Sequence, residues 1–455
     1  MKLYREPARD IPVSEYDVVV VGAGTGGVIA AVAAARNGAR TAIIEAKGYP
    51  GGTAVEGGTV LHSFYNLWKA FPGVEKRRVV RGIPLEMVER LIRADGCSGF
   101  PEMEKGYDYD SVCTAIDTEV YKHVAYDFLA DAGIDLRFNT FMVDAVRDGD
   151  ELKGVITENR GRREALMASS FVDATGYGDL CARAGAAFSE PNDHPVANSM
   201  GVGGVNMDTY YDFMNASGAV QDLCRGRRSG RDGQVIRVTG SGKKLPAGFV
   251  RDAEKIGMST MTTTLHDNYF MFVKVNFKMP KSPTDPTAIV AAERELRRRQ
   301  VKAIEVFRKH IPGFEKAFIA RTSPTLCIRR GRCITCDYDI TIDDVVDGKH
   351  FADEVFVYGF HDCAPRIKIK NGGTYGTPYQ ALLVTGLRNL YATGMMITSD
   401  WEAHMSTRNT VSCMGHGQAA GTAAAICAER GIGSRELPYA DLRRALEAGG
   451  VYFEA

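Results

Sequence analysis

The stretch Tyr16-Asp17-Val18-Val19-Val20-Val21-Gly22-Ala23-Gly24-Thr25-Gly26-Gly27-Val28 decides the fold. A near-continuous β-branched run suits a strand buried on both faces of a parallel sheet. Gly22, Gly24 and Gly27 follow it at the spacing of a strand-to-helix turn. The first glycine permits the tight turn, the second lets backbone approach a pyrophosphate, and the third lets helix and strand pack closely. The alanine-rich segment 27–37 reads as a helix stopped by Gly38, and 41–45 as a second apolar strand ending in Glu45. The helix N-terminus, just after Thr25 and Gly26, offers free N–H groups to phosphates. An acid at the end of the second strand accepts from both ribose hydroxyls and repels a 2′-phosphate. The unit is therefore a dinucleotide site, where a lone glycine motif would be weak evidence.

Working outward, 82–95 and 117–133 read as helices, and 136–146, 152–158 and 170–174 as strands. From about 195 to 356 the texture changes to glycine-rich polar loops (226–244), β-like stretches (269–277, 355–358) and one charged helix (287–309). Residues 379–431 return to α/β character, with a strand at 390–393 and a helix at 417–430 stopped by Gly431. The expected fold is α/β: a Rossmann-like dinucleotide-binding domain with an inserted α+β substrate or cap domain. The expected borders are 1–195 and 356–455 for the first, and 196–355 for the second.

The 455 residues carry 56 basic and 56 acidic side chains. No overall field draws in nucleic acid or a membrane surface. No apolar run reaches the ~20 residues of a bilayer span, and the N-terminus lacks an apolar signal core. A cytoplasmic location is expected, which suits ten cysteines in mainly reduced form. No metal site is expected, since no cysteine or histidine pairs have matching spacing.

Further segments carry a family resemblance. Gly51-Gly52-Thr53 follows the acid, Asp173-Ala174-Thr175-Gly176 ends a later strand, and Gly394 precedes Gly417-Gln418-Ala419-Ala420-Gly421. Together they resemble the FAD-dependent oxidoreductases of the glutathione-reductase-like superfamily. Arg329, Arg332-Cys333, His361, the segment 373–382, and Glu402-Ala403-His404 through Arg408 to Cys413 narrow this to the FAD-dependent oxidoreductase family. That family is distantly related to fumarate reductase and succinate dehydrogenase flavoproteins, and it usually has two arginines where this chain has Arg332-Cys333. The resemblance implies FAD, held non-covalently. The first glycine turn, with Glu45 and Ala46, would hold its ADP half. Val143 would pair with adenine through its backbone. The Ala174-Thr175-Gly176 turn and Asp179 would close over the cofactor. The helix led by Gly417, Gln418, Ala419 and Ala420 would point its N-terminus at the flavin.

Chemistry beside a flavin needs a proton-transfer group and charge to fix a substrate. His404 and Arg408 stand four apart just before the expected flavin-facing helix, so on a helix both face one way. His404 either serves as base or packs, and Arg408 either anchors an anionic oxygen or pairs with a nearby carboxylate. His361 is either a second proton carrier or a loop histidine. Arg329 and Arg332 either bind a substrate carboxylate or tie domains together. Tyr375 and Tyr379 either line the cleft or pack with satisfied hydroxyls. Cys333 and Cys336 form a CxxC. In a strand, i and i+3 point to opposite faces, which opposes dithiol chemistry.

No second strand–glycine–helix unit stands for NAD(P)H. The expected activity is hydride transfer between flavin N5 and a small polar organic substrate, dehydrogenation being favoured. The alternatives are an electron-transfer subunit without turnover of its own and a reductase of an activated C=C bond. The electron acceptor and the oligomeric state stay open, a homo-oligomer being compatible with the sequence.

Overall fold

The computed structural model describes residues 2–454, apart from 59, 69–70, 72, 107–113, 241–243, 261–263, 363–367 and 398 and the side chain of 260. The end of the expected polar loop 226–244 falls partly outside these residues.

The opening motif folds as expected. Strand β1 (Val13–Val21), helix α1 (Thr25–Arg36) and strand β2 (Thr41–Glu45) form a βαβ unit in which the two strands pair in parallel. They sit in a seven-stranded sheet. Its order is Asp135–Phe138, β2, β1, Arg163–Asp173, Glu151–Glu158, Phe141–Asp148, with Leu390–Ala392 pairing in parallel to the end of Arg163–Asp173. Val18, Val19 and Val20 are fully buried, as a strand covered on both faces requires.

The expected strand 136–146 is two strands. Asn139 adopts φ 52° between them, and the Asn139 and Thr140 amides donate to Lys47 O and Glu45 O. This break carries Thr140–Met142 past the end of β2.

The middle of the chain builds a second body. An antiparallel sheet runs Met258–Thr260, Tyr269–Phe277, Val196–Gly203, Phe318–Thr322. The helix Pro286–His310 packs on it, capped by the Asp285 carboxylate on Ala288 N at 2.8 Å. The expected polar loop at 226–240 is mostly strand: Val220–Arg228 and Arg231–Gly240 form a hairpin turning at Ser229-Gly230, both with positive φ. Alternating glycines and arginines masked its period of two. Separate apolar clusters fill the two bodies, and Ile334, Cys336, Ile340 and Val345 belong to the first. The chain therefore re-enters the first core some twenty residues earlier than the border drawn at 356.

The C-terminal helix also departs from expectation. It begins at Thr410, not Gly417, and runs to Arg430. A short helix, Trp401–Thr407, precedes it, and the chain turns between them at Arg408-Asn409. Among the described residues, no helix is long and apolar enough to cross a membrane.

Candidate active site

Two cavities meet beside the seven-stranded sheet, the second of them walled in part by the strand Tyr269–Phe277 of the second body. One encloses about 1020 Å³ of space open to solvent, the other about 980 Å³. Thr53 and Met395 line both.

The first cavity runs from the end of β2 to the start of the C-terminal helix. Its walls include Gly22, Gly24, Thr25, Gly26, Glu45, Ala46, Gly52, Thr53, Ala174, Thr175, Gly176, Asp179 and Gly394. Gly22, at φ 99°, lies so close to the Ala174-Thr175 backbone that a Cβ would stand 2.5 Å from Ala174 O. A Cβ on Gly24 would instead meet nothing nearer than 3.9 Å, so that glycine leaves open room at the mouth of α1. No side chain caps α1 at Gly24. The Glu45 carboxylate accepts from Ala23 N at 2.8 Å and Lys47 N at 2.9 Å. Burial raises its proton affinity above the usual carboxylate range, against the opposing pull of Lys47. Asp173 shapes the next turn, accepting from Thr175 N, Thr175 Oγ1 and Cys181 N at 2.7–3.0 Å. Two buried polar atoms on the walls, Glu56 Oε2 and Thr393 Oγ1, lack partners.

Some expected contacts lie elsewhere. Gly27 packs under Gly22, where a Cβ would come within 1.8 Å of Gly22 O, and does not line the cavity. Gly51 is tied by its amide to Ala23 O at 2.8 Å. Thr140, Phe141 and Met142, not Val143, form the wall beyond β2. Gly417, Gln418, Ala419 and Ala420 sit two turns inside the C-terminal helix, off the cavity. Gln418 instead accepts from Ile83 N and donates to Gly449 O. Cys413 and Asn409, at the true helix start, line the first and second cavities respectively.

The second cavity is lined by Thr53, Gly57, Gly58, Val60, His62, Phe272, Lys274, Cys327, Arg329, Asp362, Met395, Met405, Arg408, Asn409 and Thr410. Of the residues singled out in the sequence, Arg329 and Arg408 are here. Arg408 Nη2 donates to Asp362 at 3.0 Å, while its buried Nε has no partner. Arg329 donates to Asn276 Oδ1 at 3.3 Å. The two histidines are not here. His404 is fully buried behind the wall, its Nε2 3.0 Å from Arg329 O and its ring against His194. Burial, then the neighbouring Arg408 charge, holds it neutral well below the usual imidazole range. His361 is also fully buried, with Nε2 2.7 Å from Glu402 O.

Arg332 pairs with Asp179 at 2.7 Å on the rim of the first cavity. Tyr375 bonds Ser406 Oγ at 2.7 Å and Tyr379 donates to Ser434 O at 2.9 Å, so both are packing tyrosines with satisfied hydroxyls. Cys333 and Cys336 are buried thiols, and neither is in a disulfide. Among the described residues, no group of His, Cys, Asp or Glu is arranged to hold a metal.

The residue that sequence reasoning missed is Lys274. It belongs to the strand Tyr269–Phe277, whose alternation places Phe272, Lys274 and Asn276 on one face. Its only signal was a lone charge within the run Phe270-Met271-Phe272-Val273-Lys274-Val275.

A family model described as FAD dependent oxidoreductase matches residues 17–446, and the chain belongs to that family. FAD binding and FAD-dependent redox chemistry on a small molecule come with that membership. The first cavity fits the cofactor, with the open mouth of α1 for a pyrophosphate and the Glu45 carboxylate for ribose hydroxyls. Among solved structures, the chain is similar to a geranylgeranyl bacteriochlorophyll reductase-like protein from Thermoplasma acidophilum (14% identity, 96% of this chain and 83% of that one, TM-score 0.49). It is also similar to p-nitrophenol 4-monooxygenase from Pseudomonas putida (11%, 97% and 89%, TM-score 0.44) and to a flavoprotein/dehydrogenase from Cytophaga hutchinsonii (12%, 95% and 83%, TM-score 0.46). No curated protein matches the chain.

Glu45→Gln turns an amide N–H₂ toward the Ala23 or Lys47 amide, each of which needs an acceptor. The expected cost to stability is about 1–3 kcal/mol, measured as the denaturant midpoints of parent and variant.

Proposed function

We propose hydride transfer between the flavin and a small polar organic substrate held in the second cavity, with substrate oxidation as the favoured direction. The observation that carries this reading is the meeting of the two cavities at Thr53 and Met395, beside the start of the C-terminal helix. FAD, when bound, supplies the two-electron acceptor and donor. Val21, Gly22, Gly24–Gly26, Glu45, Ala174–Gly176, Thr393 and Gly394 would hold it. The uncapped N-terminus at Asn409 favours negative charge at the junction of the cavities. Non-covalent retention is supported by the lining: the described walls of the first cavity include no histidine, and burial pushes the Cys413 thiol up to about 12, away from a nucleophilic thiolate. The Asp173–Gly176 turn supports placing the chain in the glutathione-reductase-like lineage.

Arg329 and Arg408 orient the substrate. The His404 and His361 imidazoles are sealed behind the cavity wall, so proton exchange belongs to another group that lines it. Anaerobic flavin reduction across a metabolite panel tests the reading. With a reducing substrate in hand, Arg408→Gln is expected to raise KM by about 10–100-fold, the loss of a charged hydrogen bond. A panel in which no compound reduces the flavin would favour an electron-transfer subunit instead.

A further inference from the structure

Lys274 and Arg329 hang over the same side of one strand. Asn276, which shares its face with Lys274, accepts the Arg329 hydrogen bond. Val273 and Val275, on either side of Lys274, are buried in apolar clusters, which fixes the strand against rotation. Lys274 itself has no hydrogen-bond or ion-pair partner among the described residues, and its Nζ stands 5.8 Å from the centre of the Phe272 ring. Arg408 closes the cavity from the other side with an unpartnered Nε. Against these three cationic side chains the described walls set one carboxylate, Asp362, and Arg408 already engages it. A buried excess of cationic groups is costly unless an anion completes it.

We propose that the second cavity takes a small organic carboxylate, and that Lys274 binds it in its ammonium form. The inference rests on reading this cavity as the substrate site and names the substrate's chemical class. The strand geometry and the charge imbalance carry it. The proton linkage follows from the environment of Lys274. Burial first, then the Arg329 charge, lowers its proton affinity to about 7, with Arg408 acting in the same direction and Cys327 and Asp362 opposing. In the free site the amine is thus largely neutral above pH 7. A carboxylate beside it favours the charged form and restores part of the lost affinity for a proton. Binding therefore takes up a proton above about pH 7, and carboxylate affinity falls as pH rises from there. Below pH 7 Lys274 is already charged and uptake fades.

The test is isothermal titration of the FAD-loaded protein with lactate, malonate and succinate, each against its neutral amide, in buffers of different ionisation enthalpy. At least one carboxylate is expected to bind about 30-fold or more tightly than its amide, with proton uptake at pH 8. Lys274→Met is expected to abolish the uptake and weaken binding at pH 7 by about 10-fold or more. Lys274→Arg, permanently charged, is expected to bind with no uptake and little pH dependence, which separates the charge from a folding defect. Amides binding as tightly as their acids, no binding by any of the three carboxylates, or uptake that persists in Lys274→Met would each overturn the proposal. The underlying redox reading fails separately. A carboxylate that binds with proton uptake while no compound reduces the flavin supports the anion site without the chemistry. A neutral compound that reduces the flavin, with no carboxylate bound, gives the reverse.

Discussion

Replacing Gly417 with alanine is expected to destabilise the protein by about 2–3 kcal/mol and to lower its FAD content after purification. A Cβ at Gly417 would stand 2.2 Å from Gly26 O and 2.9 Å from Gly26 C. Four residues on, a Cβ at Gly421 would stand 2.1 Å from Ala30 O. The two glycines thus let the C-terminal helix lie against the backbone of α1, and neither contact is with a flexible side chain that could swing aside. Overpacking of this kind typically costs 1–3 kcal/mol. The effect reaches the cofactor because Gly26 lines the first cavity within the opening turn of α1. Pushing the helices apart moves the amides at the open mouth of α1, where a pyrophosphate would sit. Gly431→Ala is the control: Gly431 also takes φ 64°, but a Cβ there meets nothing within 4 Å. Its expected cost is about 1 kcal/mol without loss of FAD. Denaturant midpoints and the flavin-to-protein absorbance ratio read both effects. Equal FAD content in Gly417→Ala and the parent would contradict this account.

The same glycines show where the sequence was legible and where it was not. The βαβ unit could be read because strand period, glycine spacing and terminal acid each demand the same local structure. Gly417–Gly421 obeyed a different constraint. They looked like a helix start because glycine is common at turns, yet they serve a helix–helix contact whose partner lies nearly 400 residues away, and no local pattern encodes that. The true start at Asn409 was hidden because the preceding short helix ends only two residues earlier. Their order along the chain drew His404 and Arg408 to this region. The helix ends at Thr407, however, so the chain turns at Arg408 and the two side chains part. Arg408 faces the second cavity and His404 turns to Arg329 O. Lys274 was overlooked for the opposite reason. An apolar strand with one lysine reads as an edge or a solvated position, and only the sheet's packing shows that its face looks into a cavity.

Lys274→Met is expected to stabilise the protein, strongly below pH 7 and little near pH 10. An ammonium that is ordinary at 10.5 but falls to about 7 in the folded chain is held there at a cost, mainly from burial and next from Arg329. Each decade of proton affinity is worth about 1.4 kcal/mol, so the upper bound of that cost is roughly 4–5 kcal/mol. Water in the open cavity still hydrates the group, so the realised cost lies below that bound. The direction with pH follows from proton counting. Between about pH 7 and the unfolded value near ~10.4 the unfolded chain holds the Lys274 proton and the folded chain does not, so the parent gains stability as pH rises through that interval. Below pH 7 both forms are protonated and the full penalty persists; above pH ~10.4 both are neutral and it vanishes. Methionine has similar length and no charge, so it removes the penalty and flattens this part of the profile. Thermal midpoints of parent and variant, both FAD-loaded and free of carboxylate buffers, should therefore diverge at pH 6 and converge at pH 10. Added succinate or another bound carboxylate narrows the gap at pH 6 from the parent's side, because the anion relieves the same charge that methionine deletes. A gap that is constant with pH would show that Lys274 is hydrated like a surface lysine, and that the cavity does not hold the unmet positive charge on which an anionic substrate depends.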